Sequence, residues 1–372
     1  MPSDHLKEII RFLKEEHEEA SVVAMPDFFL DRLVSLDWNV DAFSKKLEDV
    51  ARKKGGSIDG IVQTELRGGN AINTASALAA LDVKVTPIVC TDRLGLQIIK
   101  FHLNPYNIDL SHVKISNEAS FTTAIEFKTG RRKANVMLRS VGALANFGPQ
   151  HLNDADFELM RNADYVCIFN WAGTRLFGTE LARTVFCHVK KKRKGKTYYD
   201  TADPTPNKGG IPDLMKKVLR GRHVDILSVN ENEAICYGAQ LSDEVEKLRK
   251  KLPSEEVAKQ SAKILASHLS ARIDLHTTSF SASYAKKGET IVRAFKVPVL
   301  RATGAGDAWT AGNILGDASG LSDDCRLTLA NAVAAFYISN RNGAHPTRKQ
   351  LAGLLEKQKT KNRSISSRKG FP

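Results

Sequence analysis

Short apolar runs alternate with helical patterns along most of this chain, and that alternation limits the possible folds more than any other feature. ASVVAM (20–25), VKVTPIVC (83–90), YVCIFNW (165–171), KTYYDT (196–201), VDILSVN (224–230) and IDLHTT (273–278) read as strands. Helical spacing occupies 71–81, 94–102, 177–191, 210–219, 231–238 and 254–270. Strands that alternate with helices build βαβ units, hence a mostly parallel sheet with helices on its faces. One segment departs from the rule: FTTAIEFKTGRRKANVML (121–138) is two strands around Lys128-Thr129-Gly130-Arg131, with no intervening helix. A hairpin of this kind projects from the main sheet and is a candidate lid.

A length of 372 residues suffices for one large α/β domain. No apolar run reaches the roughly 18 residues that a membrane-spanning helix needs. The N-terminal stretch lacks the apolar centre of a secretory signal; instead Leu6, Ile9, Ile10 and Leu13 mark an amphipathic helix over 4–19, capped by Ser3 or Asp4. A cytoplasmic location is expected. The five cysteines form no CxxC pair, which argues against a zinc site or a disulfide framework. The net charge of +13 invites a nucleic-acid reading, but twelve of those charges sit in two runs, Lys190–Lys196 and the acid-free tail 357–372. The first run reads as a solvated loop and the tail as disordered, so nucleic acid is not the expected partner.

Three polar segments carry chemistry. In RATGAGDAWTAG (301–312), Gly304-Ala305-Gly306 lies between an extended approach, VRAFKVPVL (292–300), and a helix that starts near Asp307. Small residues there let an anion reach unpaired helix N–H groups. A carboxylate beside a phosphoryl group can take the proton of an attacking hydroxyl. Asp307 is therefore a candidate general base over an anion hole at 304–306; the competing reading is a tight turn with a capping Asp. Gly68-Gly69 opens an Ala-rich helix bearing Asn70 and Asn73, which suits either hydroxyl recognition or a plain helix start. Asn230-Glu-Asn-Glu233 follows a strand and can hold magnesium-bound water near phosphates, or simply cap a helix.

In this order the pieces resemble the ribokinase-like (PfkB) carbohydrate and nucleoside kinase family. The likeness runs over about 20–356 and takes in Asp27-Phe-Phe-Leu-Asp31, GGNAIN (68–73), LDVKVTPIVCTDRLG (81–95), SVGALANF (140–147), NENE (230–233), TGAGDAWTAG (303–312) and ANAVAAF…GAHPT (330–347). It implies a three-layer Rossmann-like α/β fold with a mostly parallel central sheet flanked by helices and a small β lid around 121–138. Residues 1–19 would then be a helical extension and 357–372 a basic tail. It further implies that Asp307 activates the acceptor hydroxyl, that Gly304, Ala305 and Gly306 stabilise the transferred phosphate, and that Thr303 lies beside them. Asp31, Gly68, Gly69 and Asn73 would bind the acceptor. Asn230 and Glu233 would organise phosphates and Mg2+, Glu233 through water, and Asn331 would stand near an adenine pocket. The implied donor is ATP, with ADP or another nucleotide as alternatives. The implied partner is a sugar or nucleoside, and two copies would pair through the lid.

Three departures qualify the likeness. Arg301 stands where the family has an Asp that helps hold a monovalent cation, so its guanidinium is expected to supply the positive charge and to remove the need for K+. Thr278 and Ser281 replace both glycines of the family's nucleotide-side turn; His276, at its head, reads as a strand-end packing residue. The stretch 38–61 reads as an added helix of open role. Competing acceptors also have candidate residues: Phe28, Phe29 and Phe121 for a nucleoside base, and Arg131, Arg132 and Arg139 for a sugar phosphate. From another class, a nucleotide- or sugar-binding regulator fits the fold but gives no reason to keep Asp307.

Overall fold

A computed structural model describes residues 3–368 apart from 17, 19, 107, 131, 193, 287 and 302. The chain runs α1 (Ser3–Lys14), β1 (Ser21–Met25), β2 (Phe29–Ser35), α2 (Val40–Arg52), β3 (Val62–Gly68), α3 (Asn70–Ala80), β4 (Lys84–Pro87), β5 (Cys90–Thr91) and α4 (Arg93–Leu103). It continues through β6 (Lys114–Ile115), β7 (Ser120–Thr129), β8 (Arg132–Ser140), α5 (Asp154–Asn162), β9 (Tyr165–Phe169), α6 (Gly178–Lys192), β10 (Lys196–Asp200) and α7 (Ile211–Leu214). Then follow β11 (Ile226–Val229), α8 (Glu231–Gly238), α9 (Glu244–Arg249), α10 (Ser254–His268), β12 (Arg272–His276), β13 (Phe280–Ala285), β14 (Gly288–Arg293), α11 (Ala305–Ala318), α12 (Asp323–Ile338) and α13 (Arg348–Arg368).

The main sheet has the order β14-β13-β12-β11-β10-β9-β1-β4, and all its strands from β12 to β4 are parallel. Strands β9 and β11 are buried along their whole length, which is why they read as unbroken apolar runs. One face packs against α5, α6, α7, α8 and α10 through Met160, Val185, Phe186, Leu214, Tyr237 and Leu265. The other packs against α1, α3, α11, α12 and α13 through Leu6, Ile9, Ala75, Leu78, Ala311, Ile314, Leu329 and Leu351. Three layers result, as expected.

The lid is larger than the hairpin read at 121–138: β3-β2-β7-β8 form a four-stranded sheet. Strand β3 is the polar, mostly exposed segment VQTELRG, which ends at Gly68 and pairs with β2. Helix α2, the added helix at 38–61, covers part of this sheet. Trp38 stacks on Phe43, which meets the edge of Phe127 at 5.6 Å.

Further details depart from the sequence reading. The extended approach at 292–300 is strand only through Arg293. Helix α1 is no loose appendage, since Leu6, Ile9, Ile10, Phe12 and Leu13 are all buried in the core shared with α12 and α13. Helix α13 carries the tail in helical form through Arg368, because Lys, Gln and Arg extend a helix already anchored by Leu351 and Leu355; residues 369–372 lie outside the described residues. The basic run at 190–196 begins inside α6, and two of its charges are paired, Lys190 with Asp225 and Lys196 with Asp317. Among the described residues no helix is long and apolar enough to cross a membrane.

Candidate active site

In a parallel sheet the functional residues gather at the carboxyl ends of the strands, and here those ends collect carboxylates and amides. Asp27 follows β1, Asn170 follows β9, Asp200 ends β10, Asn230 follows β11 and His276 ends β12. Above them, α11 begins at Gly304, whose φ of 89° is left-handed. A Cβ at Gly304 would lie 2.4 Å from the Tyr337 hydroxyl, so only glycine fits the turn. The turn aims the first N–H groups of α11 outward with no side-chain cap, which leaves them free for an anion.

Asp307 sits in the first turn of α11 and is only 7% exposed. Its two oxygens accept from Asn70 Nδ2 at 2.8 Å and Asn73 Nδ2 at 2.9 Å. The GGNAIN and GAGD segments, some 230 residues apart in sequence, thus meet at one carboxylate. Burial pushes the Asp307 carboxyl up to about 8; the two amides oppose this, and the nearby charges of Asp200 and Asp27 add to it. Helix α3 is itself seated on Asp27, which accepts from the backbone of Asn70 and Ala71 at 2.9 and 2.8 Å and from Asn170 Nδ2 at 2.8 Å. Gly69 (φ 92°) allows this seating, since a Cβ there would come within 2.8 Å of the Asp27 carbonyl.

Asp31 lies on the lid strand β2, and its carboxylate rests on Gly68, where a Cβ would be 2.1 Å away. Burial raises its carboxyl to about 6, against the Thr122 hydroxyl and the positive charges of Arg139 and Arg301. Its Oδ1 is buried without a partner. That leaves a buried acceptor lone pair against Gly68 with no protein donor.

Asn230 and Glu233 form a reciprocal capping box at the start of α8. Glu233 N–H donates to Asn230 Oδ1 at 3.0 Å, and Asn230 N–H and Nδ2 donate to the Glu233 carboxylate at 3.0 and 2.6 Å. The polar-cap reading is therefore realised. Burial and the neighbouring Asp200 nonetheless raise the Glu233 carboxyl well above its usual range. Asp200, itself raised to about 6 by burial, links Glu233 to Asp307. The sequence reading missed Asp200, Asp27 and Asn170 as site residues; an Asp ending an apolar strand was the only signal for Asp200.

The nucleotide-side residues have other work as well. Asn331 accepts from Ser281 Oγ at 2.9 Å and Trp309 Nε1 at 3.0 Å and donates to the Arg293 carbonyl at 3.3 Å, so its amide ties α12 to α11 and the sheet edge. His276 lies against Gly306 and Trp309, with ring centroids 4.9 Å apart. Burial lowers it to about 4, so it is neutral near pH 7, in keeping with a packing residue. The turn after it, lacking glycines, is fastened by acids: Thr278 N–H donates to Glu231, and the Thr278 and Ser279 hydroxyls donate to Glu255 at 3.1 and 2.6 Å.

Arg301 packs against Gly343, donates from Nε to the Thr303 carbonyl at 3.3 Å, and holds its guanidinium 5.5 Å from the Tyr337 ring centroid. The Tyr337 hydroxyl donates to the same carbonyl at 3.0 Å, and its ring stacks on the buried His345. Of the aromatic candidates, Phe28 and Phe29 are core residues, while Phe121 is 45% exposed. Of the lid arginines, Arg139 is exposed and lies over the Phe29 ring; Arg131 lies outside the described residues, as does the side chain of Arg132.

The family model for pfkB family carbohydrate kinases matches residues 40–350. A curated relative, the 5-dehydro-2-deoxygluconokinase of Geobacillus thermodenitrificans, is 24% identical over 338 residues, covering 89% of this chain and 93% of its own. Among solved structures, ribokinase of Cryptococcus neoformans in complex with ADP has a TM-score of 0.69 at 14% identity, covering 90% of this chain and 99% of its own. Ribokinase of Arabidopsis thaliana complexed with ribose and ATP has a TM-score of 0.67 at 20% identity, covering 91% and 99%.

Proposed function

This chain belongs to the pfkB carbohydrate kinase family and is a phosphotransferase with an alcohol acceptor, and from that premise we propose that it moves the terminal phosphate of ATP to a hydroxyl of a sugar. The observation that carries this reading is the Asp307 carboxylate, held by Asn70 and Asn73 at the mouth of an uncapped helix N-terminus. The acceptor hydroxyl, positioned by Asp31, Gly68, Gly69 and Asn73, gives its proton to Asp307 and attacks the terminal phosphorus. The backbone of Gly304, Ala305 and Gly306 takes the charge that develops on the transferred group, and the bond to the nucleotide's leaving oxygen breaks. Thr303 stands at the edge of this turn, its carbonyl held by Tyr337 and Arg301.

Magnesium suits the donor set. Burial and the charge of Asp200 raise the proton affinity of Glu233, a repulsion that a nearby dication relieves. Among the described residues no three His, Cys, Asp or Glu side chains converge to cage a metal. Such a site favours an ion that keeps its waters and binds phosphate oxygens, with Glu233 acting through water. Mg2+ there would neutralise charge on the nucleotide's phosphates. Asn331 shapes the adenine side by bracing Trp309. The guanidinium of Arg301 takes the place of a monovalent cation behind the turn.

A nucleoside acceptor is less well supported, because two of the three aromatic residues offered for its base are core. Pairing of two copies would fall on the lid, where Val136, Met137 and Leu138 of β8 are 47, 50 and 57% exposed; a solution mass measurement tests it. Phosphate transfer from ATP to a panel of sugars, with wild type and Asp307→Asn side by side, tests the function. Transfer by wild type alone supports it, and equal transfer by both sinks Asp307 as the base.

A further inference from the structure

The free N–H groups ahead of α11 serve a phosphate only if the peptide that leads into the helix is turned the right way. That peptide joins Thr303 to Gly304. A trans peptide directs its C=O and its N–H to opposite sides, so whatever holds the Thr303 carbonyl also aims the Gly304 N–H. Glycine does not fix the direction itself, because it accepts φ of either sign at little cost and lets the preceding peptide flip. A flipped peptide would offer the transferred phosphate an acceptor in place of a donor.

Two donors hold this peptide by its oxygen. The Tyr337 hydroxyl donates to the Thr303 carbonyl at 3.0 Å and Arg301 Nε at 3.3 Å. A carbonyl oxygen has two lone pairs, and these two bonds use both. The Gly304 N–H, on the opposite side, has no partner among the described residues. Tyr337 is held in its turn. It belongs to the last turn of α12, is 3% exposed, and lies against the buried His345 with 4.8 Å between ring centroids and 16° between planes. Neither ring nitrogen of His345 has a partner among the described residues, and burial keeps the imidazole neutral near pH 7, so what it offers Tyr337 is a flat face. Burial also raises the Tyr337 hydroxyl above its ordinary value, against the charge of Arg301, so the phenol keeps its proton and stays a donor.

We propose that Tyr337 is a positioning residue for phosphate transfer: through the Thr303 carbonyl it fixes the peptide between Thr303 and Gly304 so that the Gly304 N–H faces the transferred group. This rests on the kinase reading above and adds a residue to its machinery. Tyr337 stands behind the turn and acts only through that peptide, so its effect falls on the charge that develops during transfer rather than on the binding of either substrate. Donation to the carbonyl also polarises the peptide and strengthens the N–H on its other side.

The experiment uses the full chain and Tyr337→Phe, which keeps the ring against His345 and deletes only the hydroxyl. Transfer is read with Mg-ATP and a sugar that the wild type phosphorylates. Loss of an oxyanion donor costs about 10²–10³ in kcat, and a donor misaligned rather than removed should cost about tenfold or more. KM for ATP and for the sugar should not change, the mark of an interaction made only in the transition state. Mg-ADP with aluminium fluoride, a mimic of the group in transfer, should bind Tyr337→Phe more weakly by the factor that kcat loses, while Mg-ATP binds as before. In protein carrying isotope-labelled glycine, the Gly304 amide proton should move downfield when that mimic is added to wild type, and move less in Tyr337→Phe. Wild-type kcat in Tyr337→Phe, or equal weakening of Mg-ATP and the mimic, overturns the proposal. A Gly304 shift that depends on Tyr337, with no sugar phosphorylated, would leave the role of Tyr337 standing and remove the sugar-kinase reading.

Discussion

A carboxylate that takes a proton from an alcohol works best when its own proton affinity lies near the working pH. Asp307 is carried there by burial, to about 8. The kcat/KM of the enzyme should therefore rise with pH and level off above about pH 8; a flat profile between pH 5 and 9 would contradict the assignment. The same shift has a cost in stability. The native state keeps a proton that the unfolded chain gives up from its ordinary value of 3.8, so stability falls as pH climbs from there to about 8 and stays low beyond. Asp307→Asn should abolish turnover by about 10²-fold or more yet melt above wild type at pH 8, with the gap closing near pH 4. Arg301 sets a second expectation at this scale. Its guanidinium already fills the space between Gly343 and the Thr303 carbonyl, so replacing choline by K+ at constant ionic strength should leave the rate unchanged. Strong stimulation by K+ would mean that the guanidinium does not stand in for a cation.

At the scale of elements, the turn into α11 is the least forgiving part. An L-residue at Gly304 meets a left-handed φ, costing about 1–2 kcal/mol, and its Cβ would strike the Tyr337 hydroxyl 2.4 Å away. Gly304→Ala is expected to lower the melting temperature and to cut kcat more than it raises KM for the acceptor. A variant with wild-type kcat would show that the turn does not organise transfer. The lid illustrates what the residues could not announce. Strand β7 carries Phe121, Ile125 and Phe127, a pattern that reads as a strand, whereas β3 is polar and becomes a strand only because β2 offers it a hydrogen-bonded edge. The pairing of β2 with β3 and β7 is a long-range contact, so the row that joins Asp31 to Arg139 has no local signature.

For the whole molecule, α1 and α13 form a single packing unit against α12. Helix α1 buries Leu6 and Ile9 beside α12 and α13, Arg348 donates to the Phe12 carbonyl at 3.1 Å, and Lys14 pairs with Glu356 at 2.7 Å. Leu6→Ala should cost about 2–5 kcal/mol, read as a lower denaturation midpoint, even though Leu6 is remote from any catalytic residue. Among the described side chains of α13 the last buried apolar one is Leu355, so removing 357–372 should leave the midpoint in place; a large drop would assign the tail a structural role. The sequence by itself determined the layered α/β fold, because strand and helix periods are local; its candidates for the transfer centre rested on the order of the motifs along the chain, since a glycine turn ahead of an acid also serves as a plain helix cap. Only the tertiary structure decided that Asn70 and Asn73 grip Asp307, that Asp200 belongs with Glu233, and that Arg139 lies over the Phe29 ring. Those are contacts between residues far apart in the chain, set by how the sheet and lid pack, and no local pattern encodes them.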